Sequence, residues 1–507
     1  MDKNKVLLIN LPPSISYSYT NRGSIYPATG ILVVGTILKN RGFKVQVIDG
    51  TIYVDYKERV LNAIDNSTIL IGFSVMTSQV SMALKLSKVI RTKYSDIPIV
   101  WGGIHPILFP EQTIRNSNID IVVTGEGAKT VSDICDYLKG QISLDKVKGI
   151  GFKDTSGRII LTEQSEPDDL NDLPHVDYTI FDDLELYLNT VSVYRREISV
   201  DNKSHIRFMP ILTGLGCCFK CQFCINVILK RKYRFRSAQS IIDEIKRLQN
   251  KYAVDAFLFL DEDFFISKRR LLEFLDLIEK ENLKFYWRIW GRVDYFRDNY
   301  LNKNLINRLE KCGLRSIAMG AESGSQKVLN LIQKGIKVQN ILHSATMLKG
   351  TKITPRYSFM VGLEGEDKED TKATYKLCAD LIEVNQRVDI AGPFIFRYYP
   401  GSPIFDRIIE KYRIRIPDEI EEWGNALHKE GFLKFDNMPW IWNGCIETSE
   451  MLNKGIFMWN KLRNSKKHKV LLSLIKKIII WRLKYFNTSF IELHAYILYK
   501  KIRYYRK

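Results

Sequence analysis

Short apolar runs recur along the first third of the chain. They fall at 6–10, 44–49, 69–74, 97–101 and 119–123, and several are closed by a small or polar residue, as in Val6-Leu7-Leu8-Ile9-Asn10 and Ile69-Leu70-Ile71-Gly72-Phe73-Ser74. Runs of this length and composition predict buried strands. Between them the apolar period lengthens to that of helices, from Ile31 to Arg41, closed by Gly42, and from about Ser78 to Tyr94. Strands alternating with helices in units this short predict a doubly wound parallel sheet over residues 1–150.

A connector follows over 151–206, where Pro167 and Pro174 suit an extended crossing. The alternation then resumes. A short apolar run precedes Gly214, and a helix is predicted from Ser237 to Tyr252, with Ile241, Ile242, Ile245 and Leu248 on one face. Further strands are predicted at 255–260, 285–290, 316–320, 355–362 and 389–396, with helices between them. Six strands make a partial (β/α)6 barrel over 207–400, whose functional residues belong at the C-terminal strand ends. Residues 401–507 form a C-terminal extension, marked first by Trp423, Trp440 and Trp442.

Composition changes this picture little, and charge changes it at one end. The chain has 507 residues, 45% hydrophobic and 26% charged, as ordinary globular proteins do. It contains no apolar run of about 18 residues that would span a membrane. Met1-Asp2-Lys3-Asn4-Lys5 leads directly into a strand without an apolar leader, which predicts a cytoplasmic protein. Of the net charge of +19, the stretch from Met451 onward supplies +14, with fifteen Lys and Arg against Glu492. The body is therefore not a uniformly basic nucleic-acid binder, and no nucleic acid is expected as a partner. From Val470 on, apolar runs alternate with paired cations such as Lys476-Lys477 and Lys500-Lys501, predicting amphipathic helices. These helices either lie on an anionic membrane at its inner face or pack on the barrel with their cations in water.

The chemistry concentrates at Cys217-Cys218-Phe219-Lys220-Cys221-Gln222-Phe223-Cys224, directly after the first barrel strand. Cys217, Cys221 and Cys224 are spaced to bind an iron–sulfur cluster from one loop, and three thiolates where four are usual leave one iron open. A disulfide framework does not suit 8 Cys in a chain of this length. Structural zinc takes four ligands, usually as two separated pairs, and the adjacent Cys218 cannot easily join Cys217 on one tetrahedral ion.

This stretch resembles the signature of the radical S-adenosylmethionine (SAM) superfamily, including the aromatic Phe223 before the last Cys. Cys218 departs from it and is read as a non-ligand. The resemblance implies a [4Fe–4S] cluster on Cys217, Cys221 and Cys224 that chelates SAM. It places Asp261, Glu262 and Asp263 at the SAM amino group, and Glu322 and Ser323 at its ribose and amino-carboxylate portion. Arg292 and Tyr357, at similar strand ends, are weaker candidates. Lys334-Gly335 is read as structural. The first domain resembles the cobalamin-binding domain fused to many such enzymes, through Pro27-Ala28-Thr29-Gly30-Ile31-Leu32, Asp49, Gly102-Gly103-Ile104-His105-Pro106 and Gly125-Glu126-Gly127. Ligands bind such sheets at the carboxyl ends of the strands, which makes Ser74, Thr77, Gly102, Gly103, His105, Gly125 and Glu126 the candidate cobalamin contacts. The Asp-x-His-x-x-Gly motif of other B12 proteins is absent, so His105 is read as a pocket residue and not as a cobalt ligand.

The resemblance implies that the reduced cluster cleaves SAM to a 5′-deoxyadenosyl radical, which takes hydrogen from an unactivated carbon of a small-molecule or lipid substrate. Methylcobalamin then delivers a methyl group. A one-electron donor such as flavodoxin or ferredoxin is implied as partner. The alternatives are ring closure or C–C bond formation without methyl transfer, a tRNA methylthiotransferase, and a non-enzymatic B12 or metal sensor. The methylthiotransferase reading lacks the three further N-terminal Cys of that group, since only Cys135 precedes Cys217.

Overall fold

The computed structural model describes residues 3–12, 27–188, 206–426, 438–463 and 469–489. The predicted segments 497–501 lie outside this range.

The first sheet is built from β1 (Lys5–Asn10), β2 (Lys44–Asp49), β3 (Thr68–Ser74), β4 (Ile99–Gly102) and β5 (Ile121–Val123), with β6 (Ile150–Lys153) and β7 (Ile159–Leu161) at one edge. Their order is β2-β1-β3-β4-β5-β6-β7. The first five strands are parallel, and β6 and β7 add antiparallel. The sheet thus runs on to Leu161, into the segment that the sequence pattern assigns to the connector. The runs predicted from the sequence are buried because helices cover both faces: Leu7, Ile9 and Ile71 have no exposed surface. Strand order reverses between β1 and β3, and a ligand crevice is expected at the carboxyl ends there.

The second sheet holds six parallel strands in sequential order. They are β8 (Phe208–Ile211), β11 (Ala256–Phe259), β12 (Tyr286–Gly291), β13 (Leu314–Glu322), β14 (Thr354–Val361) and β15 (Asp389–Ile395). Between β8 and β11 a small antiparallel pair, β9 (Gly214–Leu215) and β10 (Arg234–Phe235), brackets the Cys loop. The helices that return the chain start at local signals. Ser237, Ser267, Asn302, Ser325, Asp367 and Ser402 each accept a hydrogen bond from a backbone N–H of the first turn, which satisfies donors the helix itself cannot.

The extension past the barrel holds the molecule together in two places. Trp423 docks the extension on the first domain: its Nε1 donates to Gln112 Oε1 at 2.7 Å, and its ring packs edge-on against His105, 5.4 Å between centroids. Helix Cys445–Leu462 runs along β15, the open edge of the barrel. There Asn460 bonds both the N–H and the carbonyl of Ile390, and Asn453 donates to Pro393 O at 2.7 Å. Side-chain amides so occupy backbone groups that an uncovered edge would expose. Helix Lys469–Lys484 buries Ile475, Ile479 and Leu483, and its Lys484 Nζ lies 2.6 Å from Glu383 Oε2 on helix Lys368–Val384.

Candidate active site

The Cys loop is shaped by what surrounds it. At Gly214 a Cβ would collide with the Asp261 carboxylate. Gly216 has φ +83°, and a Cβ there would collide with Lys232 O. Both positions therefore require glycine for the chain to turn into the Cys motif. Cys221 is buried, Cys217 and Cys224 are partly buried, Cys218 is exposed, and all four are free thiols. Burial pushes the Cys217 thiol up to about 11 and raises Cys224 as well, so ionising these thiols requires a positive centre to bind them. Among the described residues no three His, Cys, Asp or Glu side chains are placed around a single metal ion. A cluster makes a different demand, because each thiolate holds its own iron.

The three adjacent acids after β11 are not equivalent. Asp261 is committed to the fold. Arg270 Nη2 lies 2.6 Å from its Oδ2, each partner is 1% exposed, and the Thr213 hydroxyl donates to it. Asp263 accepts from Tyr295 Oη at 3.0 Å and from Phe265 N at 3.1 Å, and burial pushes its carboxyl up to about 7. Glu262 differs from both. Its Oε2 is buried with no partner among the described residues, and burial raises its pKa. An unpaired buried carboxylate oxygen is costly, and a cationic ligand group at this position would satisfy it.

Glu322 ends β13 with φ +62° and pairs with Lys334 Nζ at 2.8 Å. Gly320 leaves room for this pair, since a Cβ would lie 2.7 Å from Nζ and collide with Glu322 Oε1. Ser323 is fully buried, its hydroxyl 3.1 Å from Thr374 Oγ1. Tyr357 is also interior, bonded to the Ser344 hydroxyl at 2.7 Å. Arg292 donates from Nη2 to Lys334 O at 2.9 Å and stacks on Phe219.

A cavity of about 420 Å³ opens at the carboxyl edge of the first sheet, within the range of about 300–1,000 Å³ usual for ligand sites. Ser74, Gly102, Gly103, Gly125 and Glu126 line it, as do Thr29 and Gly30. Its far wall belongs to the barrel: Leu212, Leu215, Arg231 and Leu260, the last immediately before Asp261. The sequence places His105 and Thr77 with the pocket glycines, but neither is among its lining residues. Gly103, at φ +96°, packs against Val75 so tightly that a Cβ would lie 2.7 Å from its N. The His105 ring is buried beside Phe109 and Trp423, with Nδ1 3.3 Å from Thr77 Oγ1. Burial lowers its pKa to about 3, so the ring is neutral. Glu126 lines the cavity with its charge already met by Arg234, which binds both carboxylate oxygens from the barrel side. Arg231 and Arg234 stand here without any sequence motif to announce them, and Lys334, read from the sequence as structural, pairs with the candidate site residue Glu322.

The chain matches the model of the radical SAM superfamily over residues 211–378 and that of the B12 binding domain over 19–134. It is similar to an uncharacterized methyltransferase of Pyrococcus horikoshii, 25% identical over 80% of this chain and 83% of that one. It is also similar to the anaerobic magnesium-protoporphyrin IX monomethyl ester cyclase of Rubrivivax gelatinosus, 26% identical over 68% of this chain and 59% of that one. The solved structure of the cobalamin-dependent S-adenosylmethionine radical enzyme OxsB, with aqua-cobalamin and S-adenosylmethionine bound, superposes with a TM-score of 0.69 at 18% identity, covering 99% of this chain and 75% of that one. The chain belongs to the radical SAM enzymes that carry a cobalamin-binding domain. The cofactors of this class are a [4Fe–4S] cluster, SAM and cobalamin. The residues present fit them: three free thiols on one loop, a buried unpaired carboxylate oxygen beside it, and a glycine-walled cavity at the sheet crevice.

Proposed function

We propose that this enzyme is a radical methylase, acting on an unactivated carbon of a small-molecule or lipid substrate. The observation that carries the reading is the shared wall. The cavity of the first domain is closed by Leu212, Leu215, Arg231 and Leu260, residues that flank the Cys motif and the strand-end acids. A methyl donor in the cavity and a radical initiator on the Cys loop would then face one space. When bound, the cluster and SAM supply hydrogen-atom abstraction, and cobalamin supplies the methyl group.

In this reading Cys217, Cys221 and Cys224 hold the cluster. Glu262 accepts the SAM amino group with its free Oε2, while Asp261 holds Arg270 and Thr213 so that the strand end keeps its shape. Glu322, fixed by Lys334, faces the remaining polar portion of SAM. The apolar walls of Leu215 and Leu260 exclude water from the radical. A flavodoxin or ferredoxin delivers the electron, and the basic C-terminal tail contacts the inner face of a membrane. Ring closure without methyl transfer is the second reading, favoured by the similarity to the cyclase.

The test is mass spectrometry of lipid and polar extracts from a deletion strain and its parent, with anaerobic SAM turnover by the purified protein. Methylation predicts a compound 14 mass units lighter in the deletion strain, and 5′-deoxyadenosine formation that Cys221→Ala abolishes. A product differing only by hydrogens moves the assignment to cyclisation. SAM cleavage that persists in Cys221→Ala overturns the cluster assignment.

A further inference from the structure

Two aromatic residues, Phe219 and Phe223, stand two positions before and after Cys221, and each faces a buried cation. Arg292 Cζ lies 3.6 Å from the Phe219 ring centroid, and Lys334 Nζ lies 5.8 Å from that of Phe223. The two cations are linked, since Arg292 Nη2 donates to Lys334 O at 2.9 Å. The loop is tied to the same turn by Gln222 N, which donates to Ile332 O at 3.1 Å. Arg292 is balanced locally by Asp294, with Nε 3.0 Å from Oδ1. Lys334 is held by Glu322 on one side and looks onto the Phe223 ring, two residues from Cys221, on the other. Burial draws its ammonium toward neutrality, but the Glu322 carboxylate 2.8 Å away opposes that, and the net effect raises its pKa.

We propose that Lys334 is a positioning residue that sets the reduction potential of the cluster. Its ammonium, fixed between Glu322 and the ring of Phe223 next to Cys224, favours the one-electron-reduced form. The proposal rests on the reading that Cys217, Cys221 and Cys224 hold that cluster. Reduction adds one electron from an external donor of the flavodoxin or ferredoxin class and breaks no bond, so the cluster gains one unit of negative charge. A fixed positive charge nearby lowers the energy of the more negative state. The effect is larger where protein and aromatic rings replace water, and net charge around the sulfurs is among the factors that set cluster potentials. The Phe223 ring keeps the site dry, in edge contact with Phe396 at 6.1 Å. Arg292 acts one step further back, by holding Phe219 and the Lys334 carbonyl in place.

The test uses the full chain with its cluster reconstituted and no SAM present, titrated with dithionite and read by electron paramagnetic resonance. Lys334→Gln should lower the midpoint potential by at least 59 mV, a tenfold smaller ratio of reduced to oxidised cluster at fixed electron supply. Lys334→Arg should leave it in place. Glu322→Gln removes the opposing charge and keeps Lys334, so it should move the potential upward. Misfolding would not produce this pair of opposite shifts, and Lys334→Met takes the place of Lys334→Gln if that variant does not load with iron. A cluster whose potential is the same in Glu322→Gln and the parent overturns the proposal. So does a Lys334→Gln variant that loses SAM affinity without a change in potential, since Lys334 would then serve SAM and not the cluster. If the cluster instead fails to assemble on the parent chain itself, the functional reading falls and not only this inference.

Discussion

Single residues decide which of several similar groups are free to act. Asp261, Glu262 and Asp263 are adjacent in sequence, yet Asp261 is locked to Arg270 and Asp263 to Tyr295, leaving Glu262 with the open oxygen. Glu366, in the turn that follows β14, shows how burial acts on a carboxyl. It accepts from Gly362 N, Leu363 N and the Thr371 hydroxyl, but burial outweighs those bonds and raises its pKa to about 7. The unfolded value is about 4.3. Between these values the folded protein holds a proton that the unfolded chain has lost, so this stability is fully present below about pH 4 and is lost as pH rises through 7. Glu366→Gln should therefore flatten the fall in thermal midpoint between pH 5 and pH 8, measured by calorimetry. An unchanged slope would mean that the carboxyl is ionised in the fold.

At the scale of elements, the segment around Trp423 ties the extension to the first domain. Its indole donates to Gln112, whose Nε2 in turn donates to Pro417 O at 2.8 Å, and Asn116 Nδ2 reaches Glu421 at 2.6 Å. Removing the ring leaves a cavity beside His105 and Phe109 and strands the Gln112 carbonyl. Trp423→Ala should cost about 3–5 kcal/mol, read as faster amide exchange over residues 104–116 in the full chain while exchange in β13 and β14 stays slow. Uniform exchange across both sheets would show that the domains open as one unit. The elements themselves were largely legible in the sequence, because strands buried on both faces are contiguous apolar runs and the barrel helices start at Ser, Asn or Asp caps. Helix Gly127–Leu138 escaped although it buries one whole face, and the other misses had a weaker signature. Helix Tyr56–Ala63 buries only Tyr56 and Val60, and β6 and β7 are short edge strands joined through a polar turn, so they read as connector. The Cys motif was legible because its residues are contiguous. The division of labour among the acids was not, because Arg270 lies nine residues from Asp261 and only the fold brings its guanidinium back. His105 was grouped with the pocket glycines because sequence shows a shared loop but not the direction into which Gly103 turns it.

At the scale of the whole molecule, one helix near the C-terminus leaves an apolar face exposed among the described residues. Helix Lys469–Lys484 is apolar on two sides. Ile475, Ile479 and Leu483 are at most 1% exposed, whereas Leu474 is 52%, Trp481 43% and, just past the helix, Tyr485 68% exposed. With the half-buried Ile478, these outer residues are spaced four, three and four apart and share one face. Lys477 is exposed beside them. The inner stripe packs on the protein, as one of the two sequence readings of the tail expects, and among the described residues the outer stripe is exposed. No helix among the described residues is long and apolar enough to cross a membrane. A stripe of Leu, Ile, Trp and Tyr beside Lys, in a segment with a net charge of +14, suits the interface of an anionic bilayer, where aromatic rings sit at headgroup depth and each cation adds about 1 kcal/mol. The full chain should float with vesicles containing phosphatidylserine or phosphatidylglycerol and not with pure phosphatidylcholine. Binding should weaken at least tenfold in 1 M salt, where charges are screened within ~3 Å. Joint Trp481→Ala and Tyr485→Ala substitution should weaken it by a similar factor at low salt while SAM cleavage in solution is unchanged. Equal flotation with neutral vesicles would make the contact purely apolar. A salt-sensitive contact that survives the double substitution would move it to the cations alone. A chain that stays in solution with every vesicle, and shows no second copy by sedimentation, would leave the stripe as ordinary exposed surface and point the search for substrate to soluble metabolites.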